Sequence, residues 1–314
     1  MSRHVPAPSD GEALVVMYHY VRDAERTPYP ALNTLRISEF DAQLAWLAEG
    51  WSPVSYTQFE ASGSGPPLAQ GAALLTFDDG FVDHYEAVFP MLRARGWSGV
   101  FFVAGAALDD PPRLLNVHKT HFLLAALGAE RFSREVLDSV AAAGDARSLG
   151  WQAEVYRYDE SPDMAAKHLL NYELPFDETD QVLSMLFERH VGDGGAFARE
   201  LYLSRDMIRK MAAAGMTFGF HTERHRVLSR LDRDAQRREL LAGVSRVRDL
   251  TGQASVPFCY PYGHPHTYNA DTLAVLREAG YGMAFNTVRR LARPAADPPL
   301  EIPRFDTRDL PPFV

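Results

Sequence analysis

Strand-length apolar runs alternate with helical periods along most of the chain. Ala13-Leu14-Val15-Val16-Met17-Tyr18 is a continuous apolar run, the pattern of a strand buried on both faces. Ser38 then caps a predicted helix carrying Phe40, Leu44 and Leu47 on one face and stopped by Gly50. Ala73 to Phe77 and Gly99 to Val103 predict two further strands, separated by a helix from about Asp83 to Arg95. After residue 200 the same rhythm returns. Helices are predicted over Ser204 to Ala214, Asp232 to Leu250 and Asn269 to Ala279. Strands are predicted over Met216 to Phe220, Val256 to Tyr260 and about Gly282 to Phe285.

One junction recurs: a helix end, a glycine, then a large apolar residue entering a strand. It appears as Gly50-Trp51, Gly96-Trp97, Gly215-Met216 and Gly280-Tyr281, where glycine supplies a left-handed cap. Repeated βα units with continuous apolar strands predict an α/β fold with a parallel sheet covered by helices. The stretch from about 109 to 200 breaks the rhythm. It opens Asp109-Asp110-Pro111-Pro112, is mainly helical in pattern, and contains the turn clusters Ser161-Pro162-Asp163 and Gly192-Asp193-Gly194-Gly195. It is read as a helical insertion, over one end, in a single domain spanning 1–314, ahead of a separate small domain.

Composition narrows the function. With 32 basic against 41 acidic residues and a formal charge of −9, the surface repels phosphate backbones, so no nucleic-acid partner is expected. The one cysteine, Cys259, excludes an intramolecular disulfide and a thiolate cage for zinc. No apolar run approaches the length of a membrane span. The short polar stretch Met1 to Gly11 has no leader pattern, so a cytoplasmic location is expected.

Four polar clusters each directly follow a predicted strand: Tyr18-His19, Asp78-Asp79-Gly80, His221-Thr222-Glu223-Arg224-His225 and Tyr260-Pro261-Tyr262-Gly263. In a parallel barrel the C-terminal strand ends share one face, where sites are built. Adjacent carboxylates repel unless a cation or proton intervenes, although a lone Asp-Asp-Gly also reads as a helix cap and turn. His221 and His225, four apart, can face one metal from a helical turn or tight loop, though alone they also read as a surface pair. With a carboxylate from another strand end they form a His-His-Asp set with open positions, a catalytic metal geometry.

Thr76-Phe77-Asp78-Asp79-Gly80 and His221-Thr222-Glu223-Arg224-His225 resemble the first two motifs of the polysaccharide deacetylases, the NodB-homology (carbohydrate esterase 4) family; Tyr260-Pro261-Tyr262-Gly263 looks like the third. The resemblance implies a distorted (β/α) barrel of about seven parallel strands and metal-assisted N-deacetylation of an amino sugar. It implies Asp78 as catalytic base and Asp79, His221 and His225 as ligands of one divalent ion, zinc first, with cobalt, iron or nickel also suited to the donor set. A backbone N–H near Tyr262 would help to stabilise the oxyanion.

The chain departs from that family in three places. The position where the third motif carries a base-orienting arginine is Cys259, and Arg304 in Ile302-Pro303-Arg304-Phe305-Asp306 is the candidate replacement. The C-terminal Leu-x-His motif is missing. Val15-Val16-Met17-Tyr18-His19 resembles instead the circularly permuted branch that includes the poly-N-acetylglucosamine deacetylases, with His19 as the general acid; a partly buried structural histidine is the other reading. Finally, the long insertion carries Val117-His118-Lys119-Thr120-His121, read mainly as helix packing, with His118 or Lys119 as contacts for an anionic sugar.

Tyr260, Tyr262, Gly263, Arg304 and His118 complete the candidate substrate-binding set. Tyr18, Phe81, Tyr262 and Tyr268 are candidate stacking surfaces, and His264 and His266 are loop residues at the rim. The expected reaction is removal of an acetyl or formyl group from an N-acylated sugar or glycan precursor. A nucleotide- or lipid-linked precursor or small glycoside is favoured over an exported polymer, with the insertion as a lid. The alternatives are a non-catalytic carbohydrate-binding protein on the same barrel and an amidase for a non-sugar amide or cyclic imide. Oligomeric state is not legible.

Overall fold

A computed structural model describes residues 5–142 and 163–313. Ser161 and Pro162, part of one anticipated turn cluster, lie outside the described residues. The chain divides into two compact units: residues 1–23, 34–110 and 201–314 form the first, and 24–33 with 111–200 the second.

The first unit is built on eight strands: β1 (Ala13–Tyr18), β2 (Ser52–Pro53), β3 (Ala72–Phe77), β4 (Val100–Val103), β5 (Thr217–Phe220), β6 (Phe258–Cys259), β7 (Ala284–Phe285) and β8 (Phe305–Asp306). Seven run in the order β7-β6-β5-β4-β3-β1-β8, all pairs parallel, while β2 adds to one end of β3. Ile302 bridges Phe285 in parallel, so the stretch carrying β8 also bonds to β7 and the sheet curls back on itself. This is the distorted α/β barrel expected from the sequence.

Side-chain alternation divides the core. Leu14, Val16, Tyr18, Ala73, Leu75, Phe77, Phe101, Phe218, Phe220, Phe258 and Tyr260 pack in the larger cluster, together with the helical residues Phe40, Leu44 and Leu47. Ala13, Val15, Ala72, Leu74, Val100, Phe102, Cys259, Phe285 and Ile302 form the second cluster, inside the barrel. Continuing the period of two, His19, Thr76, Asp78, His221 and Arg304 fall on the inward parity. The strand pattern itself aims these residues at the barrel mouth.

Three local expectations change. The first helix is Ile37–Gly50, capped from Arg36 rather than Ser38. The Glu39 carboxylate accepts from the Arg36 N–H at 2.9 Å and Asp23 from the Ile37 N–H at 3.1 Å. Gly50 is the last helical residue and has no positive φ, whereas Gly96, Gly215 and Gly280 do. The long helix over Asp232 to Leu250 is two helices, Arg233–Leu240 and Gly243–Thr251. The Tyr281 hydroxyl donates to the Leu240 carbonyl at 2.8 Å, taking the place of a helical N–H. A Cβ on Gly243 would collide with the Phe220 ring and the Tyr281 hydroxyl. Gly243→Ala is therefore expected to cost about 1–3 kcal/mol, measured as a lowered denaturant midpoint.

The second unit is helical, with Asn116–Leu127, Ala129–Ala142, Phe176–His190 and Gly194–Leu201 as its longer elements. It also takes in 24–33, because Tyr29 packs edge-on against Phe122 (5.0 Å) and Phe197 (5.9 Å). No helix among the described residues is long and apolar enough to cross a membrane.

Candidate active site

The loops after β3, β5 and β6 share a costly backbone feature. Among the described residues, the non-glycine residues with positive φ are Asp79 (75°), Thr222 (63°), His225 (54°) and Tyr262 (62°). Each sits in one of the three motifs read from the sequence. Such conformations cost about 1 kcal/mol or more and persist only where the surroundings impose them.

Asp79 and His221 are buried, and the side chain of His225 is 8% exposed. The Nε2 atoms of both histidines lie 3.6 Å from Asp79 Oδ1, and the three donor atoms lie within 4.8 Å of one another. His221 Nδ1–H donates to the Cys259 carbonyl at 2.8 Å, which fixes the tautomer and leaves the Nε2 lone pair toward Asp79. Burial pushes the His221 pKa down, against the pull of Asp78 and Asp79, favouring the neutral, ligating form. Two imidazole nitrogens and a carboxylate oxygen converging at this spacing fit a divalent cation.

The histidine loop is a tight loop, not a helical turn, and it is held along its length. His225 N–H donates to Thr222 Oγ1 at 2.8 Å. Gly105 and Ala106 N–H groups donate to the Thr222 and Glu223 carbonyls at 2.9 and 2.8 Å. Arg246 ties the Glu223 carboxylate (2.8 Å) to the Gly105 carbonyl and Asp109 (both 2.9 Å).

Beside this cluster, Arg304 grips Asp78 with two parallel bonds of 2.8 Å. The same guanidinium donates to the Asn286 carbonyl (3.0 Å), Thr76 Oγ1 (3.1 Å) and Cys259 Sγ (3.0 Å). A fully satisfied planar fork of this kind orients a carboxylate rigidly. Burial alone would raise the Asp78 pKa, but the Arg304 charge and hydrogen bonds outweigh it and hold the group down at about 2. Asp78 is therefore ionised at neutral pH.

Because the folded value lies below the ordinary 3.8, the pair's stabilisation is fully present above about pH 4 and lost as pH falls toward about 2. In metal-free protein the stability gap between wild type and Asp78→Asn is expected to narrow through that window. Urea titrations at stepped pH would show it, and a pH-independent gap would contradict it.

His19 follows β1 with its side chain 41% exposed and Nε2 3.8 Å from Asp78 Oδ2. Tyr262 is half-buried, its ring 5.1 Å from that of His225. Gly263 (φ 68°) must be glycine, since a Cβ would press on Thr287. The structure thus brings together Asp78, Asp79, His19, His221, His225, Tyr262 and Arg304. Arg304 is buried against Asp78 and offers no surface to a sugar.

Several expected contacts lie elsewhere. Tyr260 has the outward parity: it is 1% exposed, stacked on Tyr268 at 4.0 Å, and its hydroxyl donates to the Leu300 carbonyl at 2.7 Å. Tyr18, Phe81 and Tyr268 are likewise buried and serve packing rather than sugar stacking. His118 is fully buried in the second unit, and Lys119 Nζ is taken up by Asn116, Asp180 and Ser184, so neither presents a free surface to an anionic sugar. His264 and His266 stack on each other at 5.5 Å in the loop after Gly263. The sequence reading missed Arg246, which anchors the histidine loop, and His84, which donates to the His19 carbonyl.

Fold and site together define an α/β-barrel protein carrying a buried Asp-His-His cluster beside an arginine-clamped aspartate at the strand ends. The polysaccharide deacetylase family matches residues 66–137 and 175–284, and the chain belongs to that family. The matched segments hold Asp78, Asp79, His221, His225 and Tyr262; His19 and Arg304 lie outside them. A poly-beta-1,6-N-acetyl-D-glucosamine N-deacetylase of Escherichia coli K12 is 38% identical over 108 residues, 34% of this chain and 16% of that protein.

Two solved structures share the fold. A Streptococcus pyogenes deacetylase, PplD, in complex with acetate is 18% identical with a TM-score of 0.59, covering 95% of this chain and 93% of that one. IcaB from Ammonifex degensii is 18% identical with a TM-score of 0.56, covering 96% and 92%.

Proposed function

We propose that this protein removes the acetyl group from an N-acetylated amino sugar by hydrolysis, using a divalent ion held by Asp79, His221 and His225. The observation that carries the reading is Asp78, ionised and clamped by Arg304, directly beside that ligand set. A protein that only bound sugar would have no use for an oriented base there. The name of the Escherichia coli relative supports an N-acetylglucosamine-containing saccharide as the substrate class.

Asp79, His221 and His225 would hold the divalent ion, zinc being the first choice, and bound there it would supply Lewis acidity, enough to bring the pKa of a water toward about 7. Asp78 takes the proton as the water oxygen adds to the amide carbon. Arg304 keeps Asp78 ionised and aimed. Tyr262, held at positive φ beside His225, is the candidate for both oxyanion donation and sugar contact. His19, its side chain 41% exposed and its Nε2 3.8 Å from Asp78, gives a proton to the nitrogen as the C–N bond breaks. The products are acetate and the free amine.

The test is a screen with metal-loaded protein. It would include N-acetylglucosamine oligomers and polymer, nucleotide- and lipid-linked precursors, N-formyl analogues and cyclic imides. The readouts are acetate or formate release and the mass change of the acceptor. Turnover confined to the imides would move the reading to a non-sugar amidase, and no turnover anywhere would overturn it.

A further inference from the structure

A buried histidine outside the base-and-ligand set carries the inference. His84 is fully buried, at the start of a π-helical turn, His84–Val88, in which the Phe89 N–H reaches back to the His84 carbonyl. Single π turns inside helices recur at functional sites. Its ring lies in a nest of aromatics, 5.6 Å from Phe77, 5.8 Å from Phe81 and 5.6 Å from Phe101. Burial pushes its pKa down to about 4, so the ring is neutral.

Nε2 lies 2.9 Å from the His19 carbonyl oxygen, which can only accept, so Nε2 carries the proton. Nδ1 is then a buried acceptor with no hydrogen-bond partner among the described residues. An imidazole is a poor choice for such a nest. A phenylalanine would fill it without an orphaned nitrogen, whose desolvation works against the fold. What the histidine adds is one N–H aimed at His19.

That N–H completes a series. The Tyr18 carbonyl accepts from the Asp78 N–H at 2.8 Å, and the Tyr20 carbonyl from the Leu35 N–H at 3.1 Å. His19 lies between them, past the end of β1, and its carbonyl is held by His84. Its own side chain is 41% exposed, so its direction depends on the backbone. We propose that His84 is a positioning residue, fixing the His19 backbone so that the imidazole stays over Asp78. The inference rests on the reading of His19 as the acid that protonates the leaving amine.

That dependence supplies the test. An amide needs its leaving nitrogen protonated, whereas an aryl acetate expels a phenolate that does not. Four variants, His19→Ala, His84→Phe, His84→Gln and His84→Asn, would be assayed on an N-acetylglucosamine oligomer and on an aryl acetate, with metal content and thermal melts alongside. His19→Ala should lose about a hundredfold or more on the amide and little on the ester. His84→Phe should lose about tenfold in kcat on the amide, with KM, metal content and ester rate near wild type. Glutamine, whose amide reaches the Nε2 position, should recover most of the loss. Asparagine, which falls short, should not, and it serves if phenylalanine prevents folding.

Equal losses on both substrates, no loss on the amide, or failure of glutamine to outperform asparagine would overturn the positioning role while leaving His19 as the acid. A His19→Ala variant with no amide–ester difference would overturn the acid reading and this inference with it.

Discussion

Asp78→Asn is expected to lower acetate release at least about a hundredfold while the bound metal is retained. Asparagine keeps the shape and cannot take a proton from water. Asp79, His221 and His225 are untouched by the change, so metal analysis should return the wild-type content. The substitution also strands a buried guanidinium: Arg304 is 1% exposed and gives two of its bonds to Asp78. Breaking one side of a buried pair costs about 3–5 kcal/mol, so a lower melting temperature is expected as well. Adding Arg304→Met removes the stranded charge; it should restore much of the stability and none of the activity. Activity returning with stability would show that Asp78 acts through folding rather than as the base.

The second large effect concerns the ligands. His221→Ala or Asp79→Ala should reduce the bound metal from about one ion per chain to a small fraction, with turnover falling to background. His221 is the more informative of the two. Its Nδ1–H is anchored on the Cys259 carbonyl, so a bond within the protein orients the ring. His19→Ala, by contrast, should keep its metal. Elemental analysis after dialysis separates the two classes, and a His221→Ala protein with full metal content would dismiss the proposed ligand set. Wild-type activity should disappear on chelation and return with added divalent ion.

Much of this site was legible because strands alternate. Apolar runs ending in Tyr18-His19, Asp78-Asp79 and His221 placed the polar groups at strand ends, and the parallel fold brought those ends together. The same alternation, applied to β6, would have set Tyr260 outward with Phe258 and left Cys259 inward. The sequence reading instead placed Tyr260 at the substrate. Arg304 was found as the stand-in for an arginine missing at Cys259, and the two do touch, through Nη2 and Sγ at 3.0 Å. What no local pattern carries is a side chain acting on a distant backbone. Arg246 on the Gly105 carbonyl and His84 on the His19 carbonyl are such cases. The break between Arg233–Leu240 and Gly243–Thr251 is another, imposed by Tyr281 from outside the helix.

The pairing of β1 with β8, Val16 against Phe305, has a kinetic side. Strands from opposite ends of the sequence lie side by side, and one leads into His19 while the other follows Arg304. Contacts of such long sequence separation carry the largest loop-closure cost and tend to form late. The strand segment carrying Asp78 can pair locally with β4 well before its guanidinium partner reaches it. Completion of the proposed catalytic set thus coincides with closure of the barrel, so a partly folded chain would hold the carboxylates without the arginine that aims one of them.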